Sequence, residues 1–197
     1  MRNDPMEIAL RRAVMQVALL NFSWFFVEFV VARRIGSVSL FADSVDFLED
    51  TCVNFLVLLA LGWGARRRAA VGVLLASLLL VPAAAAAWMA WRKFQSPVPP
   101  EQVALSVTGA GALVVNLYCA WLLVRLRNVA GSLSRAAFLS ARNDAFANLA
   151  IIAAGGVSLI WPSAWPDLVV GLGILLMNLD AAREVFVAAR LEASDPA

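Results

Sequence analysis

Cutting the sequence at its arginines leaves runs that only a lipid environment accommodates. Residues 69–91 and 102–124 carry no charged side chain, and a helix needs about 20 residues to cross the hydrocarbon core. In lipid every backbone N–H and C=O must be satisfied within the structure, so the choice is between helices and a closed barrel. Runs this long, without period-two alternation, select helices. Composition agrees: 62% of the residues are hydrophobic and 15% charged, against about 45–50% and about 25% in soluble domains.

The same cuts predict six spans, at 13–32, 38–63, 69–91, 102–124, 133–161 and from the WPSAWP turn to about 187. A tight turn at Ile35-Gly36-Ser37 joins the first two, and Pro82 is expected to kink the third. RKFQSPVPPEQ, with three prolines within four positions, reads as a loop. The expected architecture is all-α, a polytopic membrane protein with six transmembrane helices. It divides into a transmembrane domain over 1–191 and a short tail over 192–197, without a soluble cytoplasmic domain. Arg2, Arg11, Arg12, Arg66, Arg67, Arg68, Arg125, Arg127, Arg135, Arg183 and Arg190 fall on one side, against Arg33, Arg34, Arg92 and Lys93 on the other. By the positive-inside bias both termini are expected to be cytoplasmic. Net charge is only +2, which argues against a nucleic-acid partner.

Within the second span, SVSLFADSVDFLEDTCVN sets acids into an apolar helix. At 100° per residue Asp43, Asp46 and Asp50 fall at roughly 0°, 300° and 340°, and Asn54 returns to about 20°. Glu49 lies off this stripe. A carboxylate at the bilayer centre costs at least about 2.5 kcal/mol, so a row of them must face water, a cation or a partner group. The fifth span repeats the spacing: Ser140, Asp144 and Asn148 step by four, as do Asp46, Asp50 and Asn54. Each stripe lies on the second helix of a group of three, and the two helices cross in opposite senses, as in a 3+3 inverted repeat meeting at a midplane site.

GSVSLFADSVDFLED, FLSARNDAFANLAII and WPDLVVGLGILLMN together resemble the second, fifth and sixth helices of the cation diffusion facilitators, six-helix metal-ion/proton antiporters whose transport site lies between helices two and five. The resemblance implies that Asp46, Asp50 and Asp144 are metal ligands and Ser140 the fourth position, with Asp43, Asn54 and Asn148 secondary candidates. Ser140 stands where many members have a histidine or a second aspartate, and the chain contains no histidine. The cytoplasmic metal-binding domain usual in the family is expected to be missing after LEASDPA, leaving a homodimer without its usual contacts.

Other polar residues have plainer readings. Glu28 has two readings: it lines the same cavity from the first span, or, slightly favoured, it pairs with an arginine or snorkels. Arg142, about 200° round the helix from Asp144, does not pair with it. Asp180 and Glu184 mark a solvated helix end, Arg66–Arg68 a topology signal, and Trp161 and Trp165 interfacial anchors. Cys52 and Cys119 read as small buried hydrophobes.

The resulting expectation is a transporter, not an enzyme: no Gly-rich phosphate loop or hydrolytic motif occurs, and no cofactor is implied. A divalent metal would leave the cytoplasm in exchange for protons, across a cell membrane, bacterial and inner by expectation. Carboxylates, a hydroxyl and water favour Mn²⁺, Fe²⁺ or Mg²⁺; the resemblance favours zinc, cobalt or cadmium. The alternative is a non-transporting six-helix scaffold that kept the fold. Ser140 yields a first prediction. Imidazole suits Zn²⁺, so Ser140→His should move the Zn²⁺/Mn²⁺ preference by about tenfold, or about 1.4 kcal/mol, in competition assays on reconstituted vesicles. An unchanged ratio in a folded, transporting variant would put residue 140 outside the metal's ligand shell.

Overall fold

The computed structural model describes residues 5–60, 65–124 and 132–194, in six helices and no strands. They are α1 (Pro5–Ile35), α2 (Val38–Ala60), α3 (Ala65–Gln95), α4 (Gln102–Val124), α5 (Ser132–Ile160) and α6 (Trp165–Ser194). Stretches long and apolar enough to cross a membrane lie at Ile8–Ile35, Gln102–Val124 and Asn143–Ile160, with a shorter apolar run at Trp165–Leu179. Large apolar side chains such as Phe26, Val81, Val107 and Leu176 point outward, which lipid, unlike water, tolerates. The chain is a multi-pass membrane protein.

Helix ends differ from the sequence reading most clearly at the ends of α1 and α3. α1 runs through Arg33 and Arg34, which form its last turn, where basic groups interact favourably with the helix dipole. It stops at Gly36, whose φ of 67° lies in the left-handed region, while Ser37 N–H returns to Ala32 O at 3.0 Å. That six-to-one bond is a Schellman closure, and a side chain at residue 36 would strain it. α3 likewise absorbs Arg92–Gln95, expected as loop. Its last amide bond, Ser96 N to Arg92 O, is 3.0 Å long, and only then does Pro97 disfavour helical backbone for the residue before it. α3 continues as one helix through Pro82. At the far end of the loop Glu101 accepts from Val103 N (3.0 Å) and Ala104 N (2.5 Å) and so caps α4.

α1 packs on α2, and α4 on α5; α3 pairs with α6, and α2 also packs on α3 and α6. This is close to the exchange a 3+3 repeat would impose, with α2–α6 the departure from it. Small side chains fill the centre, among them Ala32, Ala42, Ala86, Ala147 and Ala154 with Leu40, Leu105 and Ile151. They let backbones approach, which is how helices associate where lipid removes the hydrophobic drive.

The tightest junction is at the start of α2. Asp167, in the first turn of α6 and fully buried, accepts from Val38 N (2.9 Å), Ser39 N (3.2 Å), Ser37 Oγ (2.6 Å) and Ser39 Oγ (2.6 Å). Ser37 Oγ in turn accepts Leu40 N at 3.1 Å. The amides left open at the helix start are therefore met by a carboxylate from another helix and by a serine cap. Lys93 closes the cluster, donating to Asp167 at 2.6 Å and to Gly36 O at 2.7 Å. Gly171, one turn further along α6, permits this approach, since a Cβ there would sit 2.8 Å from Ser39 N. Lys93, read from sequence as a topology signal at a loop, is thus a buried ion-pair partner.

Removing one partner of a buried pair leaves the other charge uncompensated, at about 3–5 kcal/mol. Asp167→Ala should therefore lower thermal stability in detergent steeply, and Asp167→Ala with Lys93→Met should regain much of the loss. Equal melting temperatures for the single and double variants would contradict this account.

Candidate metal centre

α2 runs inward from the Asp167 cluster and carries its acids along one flank. Asp43, one and a half turns in, is 1% exposed; Asp46, Glu49 and Asp50 are half-buried. α5 runs antiparallel, so Asn148 comes level with Asp43 and Asp144 lies further inward, also half-buried. α2 and α5 touch only lightly. The carboxylates of Asp43, Asp46, Asp50 and Asp144 nonetheless lie close enough to repel one another. Among the described residues no three carboxylates or thiols converge into a closed coordination shell. The ion pair described in this bundle, Lys93–Asp167, belongs to the other end of α2.

Two polar chains bracket the stripe. On its outer side Asn148 Nδ2 donates to Asp43 Oδ2 at 2.6 Å, and Asn116 Nδ2 of α4 donates to Asn148 Oδ1 at 3.0 Å. All three side chains are buried. Further in, Asn21 Nδ2 of α1 donates to Asp50 Oδ2 at 3.2 Å, and the Cys119 thiol donates to Asn21 Oδ1 at 3.6 Å. Asn148 and Asn21 each use their N–H on a carboxylate and their carbonyl on a group from α4, so the acids are oriented by neighbours instead of by their own helix.

Some expected ligands are given other tasks. Asn148 donates to Asp43 and accepts from Asn116. Asn54 turns back on its own helix, donating to Asp50 O at 2.7 Å. Asp46, Asp50 and Asp144 are half-buried and close enough to repel one another, and Asp50 also accepts from Asn21. The side chains of Ser140, Arg142, Asp180 and Glu184 lie outside the described residues. Glu28 is fully buried against Asp43, as its cavity-lining reading has it, and does not snorkel. Cys119 is not merely a small hydrophobe, since it reaches Asn21. α4, although it carries no charged side chain, supplies Asn116 and Cys119. An asparagine inside an otherwise apolar span was the signal for Asn116, because a buried amide in lipid needs a partner.

Half-buried acids held on facing helices of a multi-pass membrane bundle suit a carrier of cations. A family model described as the cation efflux transmembrane domain matches residues 14–192. The chain therefore belongs to the cation diffusion facilitator family and is a divalent cation transporter of that kind. A comparison with curated proteins gave no match.

The Asn116–Asn148–Asp43 chain predicts coupled stabilities. Asn148→Leu strands both Asp43 and Asn116, costing about 1–3 kcal/mol for each buried group left unpaired. Asn116→Leu added to it should cost little more. A double-mutant cycle with strictly additive losses would argue against a shared bond.

Proposed function

We propose that this chain exports a divalent metal from the cytoplasm in exchange for protons, with Asp46, Asp50 and Asp144 as the ligands and Ser140 or a water as the fourth donor. The observation that carries the reading is the closeness of these three half-buried acids on α2 and α5, with Asp43 held by Asn148 beside them. Membrane-embedded ionisable groups without a structural partner are functional by default, and three mutually repelling carboxylates are poor glue between helices. A divalent ion relieves that repulsion.

The exchange follows from the donor chemistry. Ligands bind metal in their deprotonated form, so metal and protons compete for the same oxygens. With no histidine in the chain, carboxylates must carry the protons. Oxygen donors suit Mn²⁺, Fe²⁺ or Mg²⁺ better than thiolate- or imidazole-preferring ions. Both termini are cytoplasmic in this reading, and the membrane is the bacterial inner membrane.

The deciding experiment is metal-dependent protection of a sensitive cell, backed by Mn²⁺ uptake into proteoliposomes driven by a proton gradient. Asp50→Asn and Asp144→Asn should each lower apparent metal affinity by about tenfold or more, the scale of one lost ligand, and wild-type binding should weaken as pH falls. Transport equal to wild type in both variants at equal expression would favour the scaffold reading.

A further inference from the structure

Glu28 belongs to neither the ligand flank nor a helix cap. It lies in the membrane-spanning part of α1, is 0% exposed, and faces Asp43 of α2, itself 1% exposed. Neither Glu28 oxygen meets a hydrogen-bond donor among the described residues. One turn earlier on α1 the Trp24 indole N–H is buried without an acceptor, close to Glu28 but not completing a bond to it. Gly111 of α4 makes room for that indole, since a Cβ there would fall 2.5 Å from the ring.

Among the described residues the surroundings supply no cation. α1 packs against α2 and α4. From α2 the charged groups facing Glu28 are Asp43 and, with less effect, Asp46. Asp43 in turn feels Asp50 and Asp144. α4 offers Asn116 and Cys119, which are bonded to Asn148 and Asn21. Asp43 accepts from Asn148, whereas Glu28 has no such donor. Two carboxylates in contact in a dry interior cannot both be ionised, because neither solvent nor a donor offsets the repulsion. One hydrogen shared between them makes one side the donor and the other the acceptor.

We propose that Glu28 and Asp43 form a proton-binding pair, separate from the carboxylates that hold the metal, from which a proton leaves when the cation binds. The inference rests on the exchange reading above. A doubly charged ion at Asp46, Asp50 and Asp144 acts on Asp43 through space and favours the ionised pair. The carboxyl O–H bond breaks, its electron pair stays on the carboxylate oxygen, and the proton passes to water. Nothing is oxidised or reduced, and departure of the metal reverses the step. Asn148 holds Asp43 in place throughout, so the pair can change protonation without joining the ligand shell.

Infrared difference spectroscopy on the full chain in lipid nanodiscs tests this. Incorporation of glutamate ¹³C-labelled at its side-chain carboxyl, in otherwise wild-type protein, should reveal at neutral pH a label-sensitive carboxylic acid C=O band that disappears on adding Mn²⁺. The band should be lost in Glu28→Gln and displaced in Asp43→Asn. With a pH-indicator dye, Glu28→Gln should bind Mn²⁺ within about threefold of wild type while releasing about one proton fewer per ion. A wild-type spectrum without the band, or with a band that bound Mn²⁺ leaves intact, would overturn the pair. So would unchanged proton release in Glu28→Gln, or loss of Mn²⁺ binding in the folded variant, which would make Glu28 a ligand. Wild-type protein that shows the band yet binds no divalent ion would defeat the exchange reading and leave the proton pair standing.

Discussion

The contact between Asp167 and the first turn of α2 fixes where every acid on that helix lies. A helix entering lipid brings four backbone amides that hydrogen-bond to nothing within it. Here they are met by Ser37 and by a carboxylate from α6, whose charge is balanced by Lys93. This sets the height and the rotation of α2. Given that anchor, the period of the helix carries Asp43, Asp46 and Asp50 down one flank, and the antiparallel run of α5 brings Asn148 and Asp144 alongside.

Much of this was legible in the sequence because lipid simplifies the reading. Uncharged runs had to be helices, and helices had to be about six in number. Four-residue spacing put Asp46, Asp50 and Asn54 on one face, and Ser140, Asp144 and Asn148 on another, without any tertiary information. Helix ends were less legible where charge was taken as punctuation. Arg33, Arg34, Arg92 and Lys93 looked like loop residues, yet basic side chains complete the last turns of α1 and α3 because the helix dipole favours them there.

What stayed hidden was partnership. Nothing near Lys93 in the chain announces Asp167, and nothing near Glu28 announces Asp43; these pairs exist only after the helices pack. The hints were chemical. The single lysine of the chain sits beside an apolar run, an aspartate follows a proline at the start of an apolar helix, and an asparagine, Asn116, occurs inside a span that carries no charge. Each is a group that lipid will not accept alone. Asn54 shows the converse: spacing put it on the stripe, but a carbonyl four residues earlier was a nearer partner for its amide.

The anchor at the outer end of α2 also gives the helix a fulcrum. α2 is shared, bound at its start to the α3–α6 pair and along its length to α1. Asp50 lies twelve residues beyond Val38 on this 23-residue helix, about 18 Å along the axis at 1.5 Å per residue. A rotation of about 5° about the Asp167 contact would therefore carry Asp50 sideways by about 1.6 Å, and Asp43 by less than half as much. Small changes in tilt are amplified toward the acids far from the anchor and damped at those near it. The helix is built as a lever whose sensitive end holds Asp50 and whose quiet end holds Asp43.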